Sequence, residues 1–271
     1  MTGAIFLANK KDNEEQKAKK MPLIIITIIL ILILLFTGGY FIWQNISNKR
    51  ADNSYEKLTT LRDDKNSGND NTTTLADNPI DFKSLKNINT DVYAWINVPN
   101  TKVDYPVAQS PTDDSYYLHH TIYKKYEFAG TIYSEFCNKK DFSDRVTVLY
   151  GHNMQKEMMF TSLHRFENKD FFDENQYFTV YTDGHILTYK IISAFVYDNR
   201  HIMNSFDFND DEIFEEFLST LQNPRSMVQN VREDIELTKE NKILVLSTCL
   251  NKDKSKRYLV NGVLINDEPT K

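Results

Sequence analysis

The amino-acid sequence predicts a mainly β domain preceded by one membrane-spanning helix. Two observations support this prediction. An uncharged, strongly apolar stretch runs from Pro22 to Trp43 near the N-terminus. From about Asp81 onward, short runs rich in Val, Ile, Tyr, Phe and Thr alternate with turn residues. That alternation is typical of β-strands in a sandwich or barrel.

The apolar stretch is long enough to cross a membrane. As a helix it would be roughly 33 Å long, against a hydrocarbon core of roughly 30 Å. A cleaved signal peptide is the alternative, but its apolar core is only about 7 to 15 residues and ends in a small-residue cleavage site. Here Tyr40, Phe41 and Trp43 end the stretch with aromatic side chains, as at a membrane interface. We predict a transmembrane anchor over residues 21–43.

Basic residues flank the predicted anchor on both sides. Those before it are Lys10, Lys11, Lys17, Lys19 and Lys20, and those after it are Lys49, Arg50, Lys57 and Arg62. The positive-inside rule therefore favours an N-terminus in the cytoplasm. We predict that residues 1–20 form a cytoplasmic tail and that the remainder of this single-pass chain is extracellular.

The segment that follows the anchor is polar. Residues 62–71 consist of Arg, Asp, Lys, Asn, Ser and Gly, and three threonines come next, which leaves little apolar surface to bury. We predict a solvated linker over residues 44–80. Residues 81–271 are then expected to form the folded domain.

Eight strand-like runs are predicted in this domain, which favours a sandwich or barrel. They are Val92–Val98, Val103–Ala108, Gly130–Phe136, Arg145–Tyr150, Tyr177–Tyr181, Ile186–Tyr197, Lys242–Ser247 and Arg257–Ile265. Two other stretches, Met159–Asn175 and Asn209–Leu221, have apolar residues near helical spacing. The second opens with Asn209 as a predicted N-cap, followed by acidic residues that favour a helix N-terminus. It lies in the insertion between the sixth and seventh predicted strands.

Composition excludes several classes of function. The formal net charge is −6, and no Lys/Arg stripe interleaved with aromatic residues is present, so nucleic acid is not a predicted partner. The two cysteines, Cys137 and Cys249, are too few for a disulfide scaffold and lack the spacing of a zinc site. We predict neither a metal nor a cofactor, and we expect Cys137 to be reduced and structural.

Three polar side chains at predicted strand ends could carry chemistry. Cys249 follows an apolar strand, His152 follows another strand through Gly151, and Arg257 opens the last strand. Taken singly, each has a simpler explanation: a half-buried cysteine, a hydrogen-bonded histidine and a solvated arginine. The other histidines are interpreted in the same way. The three residues could nevertheless converge on one rim of a barrel.

In combination, these residues belong to stretches that resemble the class B sortases, cysteine transpeptidases of Gram-positive bacteria. The matching stretches are Ile88–Ile96, Val103–Gln109, Tyr150–Met154, and Leu246–Cys249 followed by Arg257. They span about residues 81 to 266 in the order and spacing of the family. The insertion between residues 197 and 242 resembles the one that separates class B from class A.

The resemblance implies an eight-stranded sortase-type β-barrel with an N-terminal helix and a helical insertion between the sixth and seventh strands. It implies Cys249 as nucleophile, His152 as acid/base and Arg257 beside the oxyanion. An unperturbed thiol has a pKa of about 8.5, so neighbouring basic groups would be needed to favour the thiolate. The guanidinium suits an oxyanion because it stays charged and offers several fixed donors.

The implied substrates are surface proteins that bear a C-terminal sorting motif, cleaved after Thr through a thioester. An amine of a peptidoglycan precursor or cross-bridge would resolve that thioester. By similarity Tyr150, Ser247, Leu118 and Asp114 would line the peptide groove. The sequence departs from the family by carrying an Asp at 114, where an Asn is expected, and Leu250 beside the cysteine, where some members have an acidic residue.

Two other functions stay open at this point. A thiol peptidase or hydrolase of the cell surface would use the same Cys249 and His152 but transfer the acyl group to water. A non-catalytic, membrane-tethered binding domain would make the cysteine incidental. Detecting a ligated product, cleavage alone, or neither would separate the three.

Overall fold

The computed structural model describes residues 26–43, 46, 75–250, 253 and 255–271. The chain divides into two compact units, Met1–Arg50 and Ala51–Lys271. The predicted cytoplasmic tail and most of the predicted linker lie outside the described residues.

In the first unit, the helix α1 spans Ile26–Trp43. Its described side chains are exposed, and the hydroxyl of Thr37 donates to the carbonyl of Ile33 within the helix. By length and composition α1 could cross a membrane, although an N-terminal signal sequence passes the same test. It falls within the predicted anchor.

Nine strands are described in the second unit. They are β1 (Val92–Asn97), β2 (Asp104–Ala108), β3 (Ile132–Tyr133), β4 (Val146–Tyr150), β5 (Tyr177–Thr182), β6 (His185–Asp198), β7 (Gln229–Val231), β8 (Ile243–Cys249) and β9 (Lys256–Pro269). Their order is β5-β1-β2-β3-β4-β8-β9-β6-β7, and a further β5–β6 pairing closes eight of them into a barrel. The ninth, β7, pairs with β6 outside the closed ring. The predicted eight-stranded barrel is confirmed.

The helices of this unit are α2 (Phe82–Ile88), α3 (Lys169–Glu174), α4 (Ile202–Ser205) and α5 (Asp211–Gln222). As the N-terminal helix, α2 begins where the Asp81 side chain accepts from the amide of Ser84, and it buries Phe82 and Leu85. The insertion between β6 and β8 carries α4, α5 and β7, so the expected helical insertion is confirmed.

Several strand boundaries differ from the sequence prediction, and one strand was not predicted. The predicted strand Gly130–Phe136 is reduced to β3, because Gly130 has a φ of 59° and the chain turns after Ser134, where the amide of Asn138 bonds the carbonyl of Glu135. The strand predicted to end at Ser247 continues to Cys249. The short β7 was not predicted, because three residues carry too little pattern.

The two helix predictions also change in detail. The stretch Met159–Asn175 does not form one continuous helix. It contains a 3-10 helix over Thr161–Glu167 and then α3. The break falls at Asn168, whose side chain accepts from the amide of Phe171 and starts α3. The N-cap of α5 is Asp210 rather than Asn209, because the carboxylate of Asp210 accepts from two amides of the first turn.

The barrel strands bury side chains on both faces. Along β8, Leu244 and Leu246 belong to the cluster inside the barrel, while Ile243 and Val245 belong to a second cluster with Phe217 and other buried residues of α5. Strands buried on both faces read as continuous apolar runs, as β8 does. The insertion helix therefore covers the outer face of the strands that lead to Cys249.

The chain joins the barrel before Asp81. Ala76 pairs with Thr270, just past the end of β9, and the side-chain Nδ2 of Asn78 donates to the carbonyl of Thr182 at 2.8 Å. Ile80 is buried in the core. Residues 76–80, placed by the sequence analysis at the end of the linker, thus contact the folded unit.

Candidate active site

Three adjacent strands bring the candidate catalytic residues to one edge of the barrel. The parallel strands β4 and β8 pair Tyr150 with Ser247, and the amide of Gly151 donates to the carbonyl of Ser247 at 3.1 Å. His152, just beyond this contact, is therefore level with Cys249. The antiparallel strands β8 and β9 pair Cys249 directly with Arg257. Partners in a sheet register share a face, so both side chains emerge on the same side.

Cys249 is the last residue of β8, and its thiol is free and partly exposed. Side chains alternate along a strand, and Val245 belongs to the cluster outside the barrel. Ser247 and Cys249 therefore project from the outer face, beyond the end of that cluster. The nucleophile candidate therefore lies at the end of a packed strand and is partly exposed to solvent.

The ring of His152 is held by a carbonyl and two aromatic neighbours. His152 Nε2 lies 2.9 Å from the carbonyl oxygen of Leu118, so this nitrogen carries the proton and Nδ1 is the basic one. The ring stacks on His119 at 5.3 Å and on Phe128 at 5.1 Å between centroids. Burial lowers the pKa of His152, the nearby His119 acts in the same direction, and the hydrogen bond to Leu118 opposes them.

Two glycines make this arrangement possible. A Cβ on Gly151 would lie 2.5 Å from Cδ1 of Ile132 and 2.7 Å from the ring of Phe160. A Cβ on Gly130 would lie 2.3 Å from the carbonyl oxygen of Leu118, the same oxygen that accepts from His152. Gly151 and Gly130 are therefore both points where the backbone passes close to its neighbours.

Arg257 is half-buried near the start of β9, and its Nη1 donates to the carbonyl of Lys256 at 3.1 Å. Burial raises the pKa of Tyr133; the charges of Glu135, Asp114 and Cys249 raise it further, and that of Arg257 lowers it. Tyr133 is therefore within electrostatic reach of both Cys249 and Arg257.

The residues expected to line the peptide groove lie around this edge. Tyr150 and Ser247 are register partners on the face that carries Cys249. The hydroxyl of Tyr150 donates to Glu135 Oε2 at 3.3 Å. Leu118 lies beside His152 through its carbonyl. Asp114 is at the rim, where its Oδ1 accepts from the amide of Phe136 at 2.7 Å.

Sequence reasoning missed a carboxylate beside this groove. Glu135 Oε1 lies 2.6 Å from Nε2 of His201, and the Glu135 side chain is only 15% exposed. His201 is the N-cap of α4, so the pair ties the insertion to the segment after β3. Glu135 lay inside a predicted strand, and no sequence signal places it beside a histidine 66 residues away.

A cleft of about 960 Å³ opens beside the neighbours of the candidate nucleophile. It lies between β6 and α5 and is bordered by Leu250 and Lys256, the neighbours of Cys249 and Arg257. Arg200 and Arg225 also line it. The site therefore has a cleft on the α5 side.

The arrangement combines a thiol, a neutral imidazole and a guanidinium at the ends of three adjacent strands. These groups can supply a nucleophile, a proton carrier and an oxyanion donor for acyl transfer. Within the described ranges, no group of three or more His, Cys, Asp and Glu side chains could hold a metal ion.

The chain is similar to several known proteins. A family model described as the Sortase domain matches residues 96–265. Sortase B of Listeria monocytogenes is 31% identical over 191 residues, which cover 68% of this chain and 74% of that protein. The crystal structure of Clostridium perfringens sortase B has a TM-score of 0.62 and 34% identity, covering 68% of this chain and 100% of that one.

A Staphylococcus aureus sortase B–substrate complex is also similar, with a TM-score of 0.60, 26% identity, and coverage of 68% of this chain and 84% of that one. The Sortase domain model and the Listeria relative each cover most of the present chain. The chain therefore belongs to the sortase family and is a class B sortase, a cysteine transpeptidase of the kind that anchors proteins to the cell wall.

Proposed function

We propose that this chain is a membrane-anchored enzyme that cleaves a C-terminal sorting motif after Thr and transfers the protein to a cell-wall amine. The observation that carries the proposal is the register of β4, β8 and β9, which brings His152, Cys249 and Arg257 to one edge. The reaction class follows from membership of the sortase family. The roles of the three residues are proposed from their positions.

In the first half-reaction, the Cys249 thiol transfers its proton to the basic Nδ1 of His152 and the sulfur attacks the carbonyl carbon of the Thr residue. The resulting oxyanion receives hydrogen bonds from the guanidinium of Arg257, which stays charged at neutral pH. Collapse breaks the C–N bond. The His152 proton goes to the leaving amine and a thioester remains on Cys249.

In the second half-reaction, an amine of a peptidoglycan precursor or cross-bridge attacks the thioester. His152 takes a proton from that amine, and the Cys249 sulfur leaves. We place the acceptor at the cleft bordered by Leu250 and Lys256, because the sorting peptide would occupy the Tyr150 side. Approach from the cleft reaches the thioester without displacing the bound peptide.

Tyr150, Ser247, Leu118 and Asp114 are proposed to bind the sorting peptide. Support comes from their positions around His152 and Cys249, and from a similar S. aureus sortase B that has been solved as a substrate complex. Surface proteins with a sorting motif are therefore the proposed partners, with Glu135 as a further groove residue through its contact with Tyr150.

We further propose that α1 anchors the enzyme, with residues 1–20 in the cytoplasm, 44–75 as linker and the catalytic domain, which residues 76–80 join, outside. Its length and apolar composition support a membrane span. A carbonate-resistant membrane fraction, together with protease access to a C-terminal tag but not an N-terminal tag on intact cells, tests this topology. Release of the full-length signal into the medium would contradict it.

The enzymatic proposal is tested with the full chain in detergent, a library of Thr-containing sorting peptides and a triglycine acceptor. Wild type should give a ligated product and a thioester adduct that mass spectrometry maps to Cys249. Cys249→Ala should give neither. Cys137→Ala is the matched control, because Cys137 is also a free thiol, and it should keep both.

Each contrary outcome separates the alternatives. Ligation by Cys249→Ala would exclude the proposed nucleophile. Cleavage without ligation, whatever amine is offered, would instead indicate a hydrolase. The absence of both cleavage and adduct with every peptide would favour a binding domain.

A further inference from the structure

Two side-chain nitrogens converge on the backbone carbonyl of Cys249. Asn153 Nδ2 lies 2.7 Å from that oxygen and His164 Nε2 lies 3.2 Å from it. Asn153 Nδ2 is also 2.9 Å from His164 Nε2. On its other side, His164 Nδ1 lies 2.6 Å from Glu167 Oε1. The four residues form a continuous chain from a surface carboxylate to the peptide group of the nucleophile.

The chemistry of the partners assigns the protons in this chain. The Cys249 carbonyl can only accept, so Asn153 must turn its NH₂ group toward it. The carboxylate of Glu167 likewise requires the proton on His164 Nδ1. In a neutral His164, Nε2 is then an acceptor and takes the second hydrogen of Asn153. The hydrogen bonds are then the two shorter contacts, from Asn153 to Nε2 and from Asn153 to the carbonyl. The 3.2 Å approach of Nε2 to the carbonyl oxygen is a contact between two acceptors and not a hydrogen bond.

The orientation of Asn153 depends on these contacts. Its Oδ1 is buried and has no hydrogen-bond partner among the described residues. A buried polar atom left without a partner costs free energy. The amide is therefore held by its NH₂ contacts alone, and those contacts depend on His164. The ring of His164 is fixed in turn by Tyr258, at 4.8 Å between centroids.

The hydrogen-bonded chain from Glu167 to Cys249 ends where β8 ends. Beyond Cys249, the amide of Leu250 donates to the carbonyl of Lys256 at 3.2 Å, so the peptide group between Cys249 and Leu250 is held at both ends. Asn153 directly follows His152 in the sequence. One amide therefore links the backbone of the proposed nucleophile to the residue next to the proposed acid/base.

We infer that Asn153 is a positioning residue that sets the separation of the Cys249 thiol and the His152 imidazole, and that the Glu167–His164 pair orients Asn153. This inference rests on the proposed roles of Cys249 and His152. None of the three residues contacts the reacting atoms. Their effect is on the geometry of the attack and not on substrate affinity.

The test compares Asn153→Ala, His164→Ala and His164→Gln. Each substitution is made in the full chain that also carries Cys137→Ala, so that Cys249 is the remaining thiol. Misplacement by a fraction of an ångström should lower kcat by about 10-fold or more while KM changes less than about 2-fold. The rate of Cys249 alkylation by iodoacetamide, followed against pH, should change in the same two alanine variants. His164→Gln should recover most of kcat, because the Gln side-chain oxygen can accept from Asn153.

The matched control is His185→Ala. His185 Nδ1 lies 2.6 Å from Asp267 Oδ1, an equally short histidine–carboxylate pair at the far end of β9, and its loss should leave kcat unchanged. Wild-type kcat in both Asn153→Ala and His164→Ala would overturn the inference. So would a lower unfolding midpoint in these variants without any change in kcat or in the alkylation rate. If Cys249→Ala were active, the proposed function itself would fail; if it is inactive while Asn153→Ala is unaffected, only the present inference fails.

Discussion

Cys249 and Arg257 lie directly opposite each other on the antiparallel strands β8 and β9. Such partners have Cβ atoms about 4.5 to 5.5 Å apart and side chains on one face. The amide of Leu250 bonds the carbonyl of Lys256 at 3.2 Å and closes the hairpin behind them. The sheet register therefore places Arg257 beside Cys249 on the same face of the sheet.

This pairing predicts the effect of changing Arg257. Arg257→Ala should lower kcat by about 10² to 10³-fold, the usual cost of removing an oxyanion donor. Arg257→Lys should recover only part of this loss, because an ammonium is a point charge without the planar fork of donors. Steady-state cleavage of a sorting peptide measures both. Lys190→Ala, which removes an ion pair with Asp234 elsewhere in the sheet, is the control and should retain kcat.

The burial of His152 predicts a pH dependence of stability. Its pKa is lowered in the folded state, chiefly by burial, so the unfolded chain binds the proton more readily. Its contribution to stability is then fully present above the ordinary histidine pKa of about 6.5 and is lost as pH falls through the folded value. Urea midpoints from about pH 8 to about pH 5 should fall less steeply in His152→Gln than in wild type. Parallel curves would contradict the predicted burial effect.

The residues at the strand ends could be predicted because strand patterns are local. The predicted strand before His152 ends at Tyr150, as β4 does, and the one before Cys249 ends two residues short of the end of β8. The resemblance assigned roles to the polar residues at these ends. The run in β8 is apolar throughout because Leu244 faces the barrel interior while Val245 faces α5.

The rest depends on contacts between distant segments. His164 was interpreted as an ordinary histidine, and its approach to the Cys249 carbonyl joins residues 85 positions apart. Glu135 lay in a predicted strand that the structure cuts short at Tyr133. No periodicity in a single sequence encodes which side chain contacts another across a barrel, so these contacts could not be predicted from the sequence.

The close contact of Gly130 with the Leu118 carbonyl predicts that a substitution there changes both stability and catalysis. In Gly130→Ala, a φ of 59° and a Cβ at 2.3 Å from the Leu118 carbonyl oxygen should together cost about 1 to 3 kcal/mol or more of stability. Because the same oxygen accepts from His152, kcat should fall as well, even at temperatures where the variant is folded. Urea unfolding and peptide cleavage measure the two effects.

Gly184→Ala is the matched control for this substitution. Gly184 also has a positive φ, 109°, but a Cβ there would meet nothing within 4 Å, and the residue lies in the turn between β5 and β6. It should lose stability through backbone strain while kcat stays at the wild-type value. An equal loss of kcat in both variants would show that strain alone, rather than the Leu118 contact, explains the effect.

The cleft beside α5 predicts that acylation and transfer can be separated. Glu216 is exposed and lines the cleft, so Glu216→Trp should obstruct the acceptor without touching the peptide groove. The burst of thioester formation should be unchanged while the ratio of ligation to hydrolysis falls several-fold. Glu212→Trp, on the first turn of the same helix but outside the cleft lining, should keep the ratio. A fall in the acylation burst with Glu216→Trp would show that the cleft serves the sorting peptide instead, because only the first substrate is needed for that step.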